Sequence, residues 1–196
     1  MSTKPSYLGL LNAIALGEAE AHAYFTAWAA VTPSADVRNV LLTVAAREGE
    51  HGMSFAKRIN ELGYEVRPKD DPKAADRLAV ACSDRTDLEK MELLGLQKLD
   101  TGSEPDVFDR FFADHSIDIR TGELLGRYIA EERDTARLVR SCYDQLRTAA
   151  GDAKADDRVT ALESKVDELC ATVGQLCALL EGSGQPANGK RKKVTA

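Results

Sequence analysis

The fold turns on the stretch Leu41-Leu42-Thr43-Val44-Ala45-Ala46-Arg47-Glu48-Gly49-Glu50-His51-Gly52-Met53-Ser54-Phe55. Leu41, Val44, Phe55, Ile59 and Leu62 recur at the spacing of a helix that buries one face, and Glu48 and His51 fall on the same apolar stripe. An ionised carboxylate in such a place costs on the order of several kcal/mol unless a partner compensates it. The three-residue step sets both side chains about one turn apart on one face, within reach of a single cation. Upstream, Leu11, Ile14, Glu18, Ala21, Phe25 and Trp28 form a second stripe with a carboxylate at its centre. Two antiparallel helices of this kind aim Glu18, Glu48 and His51 into one interior. A bound cation is the leading explanation.

Working outward, a first helix runs from about Ser6 to Val31, with Pro5 ahead of it and Thr32-Pro33-Ser34 closing it. Ser34 or Asp36 can cap a second helix that reaches Leu62, and Gly63 is the expected left-handed stop. Arg67 to Lys73, with Pro68 and Pro72, reads as a solvent-facing connection. Helices are expected over Ala74 to Cys82 and Asp87 to Leu99, then a break over Asp100 to Asp106. A short aromatic helix over Val107 to His115 carries Phe108, Phe111 and Phe112. Asp118 opens a fourth long helix, carried to about Arg147, with the stripe Leu125, Tyr128, Glu132, Thr135, Val139, Cys142 and Leu146. The expected fold is all-α, an antiparallel four-helix bundle over residues 1–150 followed by a C-terminal coiled-coil helix.

Beyond Ala149-Ala150-Gly151 the pattern changes. Val159, Leu162, Val166, Leu169, Val173, Leu176 and Leu180 follow a seven-residue repeat over about three heptads, with valine at three a positions and leucine at every d. That choice favours a parallel two-stranded assembly, so a homodimer through residues 151–182 is expected; a fifth helix folded back on the bundle is the other reading. Cys170 and Cys177 fall at e positions as small apolar fillers. Residues 183–196, with Lys190-Arg191-Lys192-Lys193, read as a disordered basic tail.

Within 196 residues, 43% hydrophobic and 30% charged residues describe a globular chain. A net charge of −6 argues against a nucleic-acid groove. The cysteines form no C-x-x-C pair, which excludes a zinc ribbon and suits reduced thiols in a cytoplasmic protein. Lys4 followed by Tyr7 to Leu16 loosely imitates a secretory signal, but Asn12 interrupts the apolar run and the stripe continues through the supposed cleavage zone. No segment is long and apolar enough to span a bilayer.

Gly17-Glu18 followed by Tyr24-Phe25, and Arg47-Glu48-Gly49-Glu50-His51, resemble the first two motifs of the ferritin-like superfamily, most closely the rubrerythrin-type diiron domain. The resemblance covers about residues 6–148. It implies one or two iron ions, with manganese as the alternative, held by Glu18, Glu48, His51, Glu132 and, on the third helix, Glu92 in preference to Glu89. Glu48 would be the bridge, and Glu18 and Glu132 terminal ligands. It further implies ferroxidase or peroxide-reducing activity, with an external electron donor for peroxidase turnover. Thr135 stands where a second histidine is expected, so the second half-site is degenerate.

Other residues have plainer roles. His22 reads as a hydrogen-bonded neighbour or a replacement ligand, and His115 as a helix-end residue. Tyr24 and Tyr128 fill the core near the site, and Glu20, Glu50 and Glu131 face water. Two other functions remain open: a non-catalytic helical scaffold or dimeric adaptor, and an oxygenase for which no substrate pocket is specified.

Overall fold

The computed structural model describes residues 4–99 and 114–182, with side chains to residue 175. The helix expected over Val107 to His115 falls largely outside the described residues, as do the basic tail and the side chains of Leu176, Cys177 and Leu180. Every regular element among the described residues is helical: α1 (Leu8–Val31), α2 (Ala35–Glu61), α3 (Ala74–Cys82), α4 (Asp87–Leu93), one 3₁₀ turn (Leu96–Lys98) and α5 (Ile119–Gly182). None of these helices is long and apolar enough to cross a membrane. Residues 1–147 and 148–196 form two separate compact units.

Local chemistry sets the ends. Ser34 caps α2 by accepting the Val37 amide at 3.3 Å. At the other end Gly63 takes φ +83°, and the amides of Gly63 and Tyr64 return to the carbonyls of Asn60 and Ile59, so the last turn closes as a Schellman motif. Thr86 and Glu89 form a reciprocal capping box on α4. Asp118 opens α5 by accepting the amides of Arg120 and Thr121, and it also takes hydrogen bonds from Tyr7 and Arg58.

Two expectations about element length are corrected. The helix expected from Asp87 to Leu99 ends at Leu93, because Gly95 adopts the left-handed conformation at φ +76° and the chain continues as a 3₁₀ turn. The fourth helix, expected to reach about Arg147 with the pattern changing beyond Ala149-Ala150-Gly151, continues instead, and α5 runs unbroken from Ile119 to Gly182. Alanine is the strongest helix former and one exposed glycine costs only about 1 kcal/mol, so that triplet cannot end a helix by itself.

Side-chain pairings order the first unit. Gly49 lies against His22 and Gly52 against Ala19, so α2 runs antiparallel to α1. Arg58 reaches Thr121, His51 reaches Glu131 and Arg47 reaches Thr135, so α5 runs antiparallel to α2. The two helices expected over Ala74 to Cys82 and Asp87 to Leu99 are present as α3, with the bounds expected of it, and the shorter α4. They are tied to α1 by Arg77 to Glu20 and by Trp28 Nε1 and Thr32 Oγ1 to Asp87, both at 2.7 Å.

The core has two apolar parts. One gathers Phe25, Trp28, Leu41, Val44, Met91, Val139 and Tyr143; the other gathers Leu11, Ile14, Phe55, Ile59, Leu125 and Ile129. On α1, α2 and α5 alike, the residues between these two parts are polar: Glu18 on the first, Glu48 and His51 on the second, Glu132 and Thr135 on the third.

Candidate metal centre

The polar layer forms because α1 and α2 approach closely where it sits. A Cβ added at Gly52 would stand 3.2 Å from the Ala19 backbone nitrogen, and one at Gly49 would stand 2.9 Å from His22 Nδ1. Two glycines one turn apart therefore let the helix carrying Glu48 and His51 press against the helix carrying Glu18. The close approach buries all three, at 7%, 5% and 3% exposure for Glu18, Glu48 and His51.

Glu18, Glu48, His51 and Glu132 each offer one ligand atom, and these atoms lie within 4.8 Å of one another. His51 Nδ1 is 3.3 Å from Glu132 Oε1 and 3.8 Å from Glu18 Oε2. Those three atoms are buried and make no hydrogen bond. The opposite edge of each group is held. Tyr128 Oη donates to Glu18 Oε1 at 2.8 Å, and His51 Nε2 pairs with Glu131 Oε2 at 2.6 Å. The Tyr128 ring stands edge-on to His51 at 5.0 Å and to Phe55 at 5.2 Å, which fixes the phenol by packing.

Protonation shows how the metal-free cluster tolerates its charge. Burial, followed by the adjoining Glu18 carboxylate, pushes the Glu48 carboxyl far above the ordinary range, so it is neutral at pH 7. Burial opposes charge on His51, but the carboxylates of Glu132, Glu18 and Glu131 outweigh it and raise the imidazole to about 10. Burial also disfavours the charged form of Glu18, yet His51, Glu48 and Tyr128 together hold it below its usual value. The phenols of Tyr128 and Tyr24 are both raised, first by burial and then by neighbouring carboxylates, so both stay protonated. Protons thus sit where a cation would otherwise balance the charge.

Four of the five expected metal ligands come together, and Glu92 does not. It lies exposed on α4, where its carboxylate takes a 3.4 Å hydrogen bond from Tyr143. Asp87, Lys90 and Met91 form the buried face of α4, and Glu92 falls out of phase with them, so it turns outward. His22 is an exposed neighbour whose Nδ1 bonds the Ala45 carbonyl at 2.7 Å, outside the ligand group. His115 is exposed in the turn before α5. Thr135 is buried and accepts a hydrogen bond from Arg47, which also pairs with Asp134 at 2.7 Å.

Glu131 is the correction in the other direction. Expected to face water, it is only part exposed and grips His51, while Arg127 holds its second oxygen at 3.0 Å. Its sequence signal was weak, because it sits beside the apolar stripe rather than on it. Glu20 and Glu50 pair with Arg77 and Arg127 at the surface. Cys82, Cys142 and Cys170 are free thiols, and none belongs to the ligand group. No protein-family model, curated protein or solved structure matches this chain.

Proposed function

We propose that residues 4–147 form a ferritin-like metal-binding unit whose core site holds iron and reduces dioxygen or peroxide. The observation that carries this reading is the convergence of Glu18 Oε2, His51 Nδ1 and Glu132 Oε1, buried, mutually close and without hydrogen bonds. Buried polar atoms prefer well-formed hydrogen bonds, and three that meet only as ion pairs at 3.3 and 3.8 Å around one point fit the ligand set of a cation. Carboxylates with a single imidazole and no thiolate suit iron or manganese among the transition metals. One imidazole and one compact ligand group suit a single ion per chain.

Glu18, Glu48, His51 and Glu132 would hold the ion, and bound iron would supply one-electron chemistry toward dioxygen or peroxide. The chain's own residues prepare for it. Glu48 releases its proton when positive charge arrives. Glu131 holds His51 by Nε2, so Nδ1 is the nitrogen offered to the layer. Tyr128 holds one oxygen of Glu18 and leaves the other facing inward. The apolar groups on either side, Phe55 and Ile129 on one and Val44 and Val139 on the other, keep bulk water from the site. Repeated peroxide turnover would draw electrons from an external donor.

Thr135 with Arg47 favours a second reading, a scaffold without metal chemistry, since that pair stands where the resemblance places a second histidine. One experiment separates the two. Protein purified with ferrous iron supplied is assayed for metal by mass spectrometry, beside a Glu48→Ala variant. About one iron per chain, lost in the variant, supports the metalloprotein. A metal-free wild type that gains no thermal stability from ferrous or manganous ion leaves the scaffold.

A further inference from the structure

The carboxylate layer leaves the heptads of α5 unexplained, and they lie in the second unit. Every described residue from 151 to 175 is exposed. Among them Val159, Leu162, Val166, Leu169 and Val173 present apolar side chains at 52%, 58%, 57%, 64% and 50% exposure. A row of this kind on one helix is a large unpartnered apolar face, whereas scattered apolar residues would need no explanation. Isolated helices in water are marginal without a packed face.

We propose that this face is covered by the same face of a second copy of the chain, as a parallel, in-register two-stranded coiled coil. Three features choose this occupant. First, the row repeats every seven residues rather than following the 3.6-residue period of a helix docked on a globular core, so it stays in line with a supercoiled partner. Second, the layers suit pairing with themselves. Valine against valine at a and leucine against leucine at d is the two-stranded parallel preference, and a two-fold axis brings each layer onto its own copy. Third, the flanking charge is complementary in that register. Arg158 at a g position faces Glu163 at the following e position of the other copy, twice by symmetry, while the next g position, Lys165, faces the uncharged Cys170. No like-charged pair flanks the described seam in this arrangement.

The test uses the full-length chain. Sedimentation equilibrium should give twice the 21.3 kDa chain mass at micromolar concentration, and the double variant Val166→Lys with Leu169→Lys should sediment at the single-chain mass. Both positions are exposed in the single chain, so near-ultraviolet circular dichroism of the first unit should be unchanged in the variant. A wild type that sediments at the single-chain mass overturns the proposal, and so does a variant that keeps the doubled mass. Orientation is tested by Leu162→Cys in a chain also carrying Cys82→Ser, Cys170→Ser and Cys177→Ser. Mild oxidation should give a covalent dimer, because facing d positions are adjacent in a parallel pair. An antiparallel pair sets this position opposite an a residue and stays uncrosslinked, which would overturn the parallel arrangement.

Discussion

At the scale of single residues, His51 is the pivot, because it touches carboxylates on both sides. Its folded value of about 10 lies above the ordinary 6.5, so the stability it contributes is fully present below about 6.5 and is lost as pH rises toward 10. The raised Glu48 carboxyl has the same sign, since the folded state holds a proton that the unfolded chain has already released. Metal-free protein should therefore lose thermal stability steadily between pH 6.5 and 10 in buffered melts, and His51→Gln should flatten that slope. The same protons must leave when a cation enters, so iron affinity should rise over this range. Glu131→Gln tests the support of His51. Iron affinity should fall about 10–100-fold while folding persists, and the pH dependence of binding should shift because the imidazole loses a neighbouring charge. Glu18, Glu48, His51 and Glu132 could be read in advance because each interrupts an apolar stripe. Glu131 could not, because its partner lies on another helix and local periodicity carries no record of that contact.

At the scale of elements, the close contact of α1 with α2 rests on Gly52. Gly52→Ala should destabilise the fold by about 1–3 kcal/mol in denaturant titrations, since its Cβ would meet backbone rather than a movable side chain. Gly49→Ala should be milder, because the exposed His22 ring can rotate away. Helix starts and the Gly63 stop were legible because capping chemistry is local. The short α4 was not, since Leu94-Gly95-Leu96 continues the apolar count while the glycine takes a conformation that ends the helix. Glu92 points outward for a separate reason, since it lies out of phase with the buried face of α4 set by Asp87, Lys90 and Met91. The length of α5 was not legible either, because a change from bundle spacing to heptad spacing marks a change of neighbours and not the end of a helix.

At the scale of the molecule, a polar layer divides an otherwise apolar core, and such a layer trades stability for chemistry. Replacing it by hydrocarbon, with Glu18→Leu, Glu48→Leu, His51→Leu and Tyr128→Phe together, should abolish iron binding. It should also leave the metal-free fold as stable as wild type or more so by about 1–4 kcal/mol, measured by thermal and urea unfolding. Glu132→Leu belongs in the same set because its Oε1 is buried, whereas Glu131 is part exposed and keeps Arg127. Trp28, far up α1 from this layer, has a consequence of its own. It is the sole tryptophan in the sequence, fully enclosed, with its indole N–H on Asp87 and the Lys90 ammonium 5.8 Å from its ring. Its fluorescence is thus a built-in optical gauge of the half of the core where α4 seats among α1, α2 and α5. A red shift in emission records that half opening to water, with no dye attached to the protein.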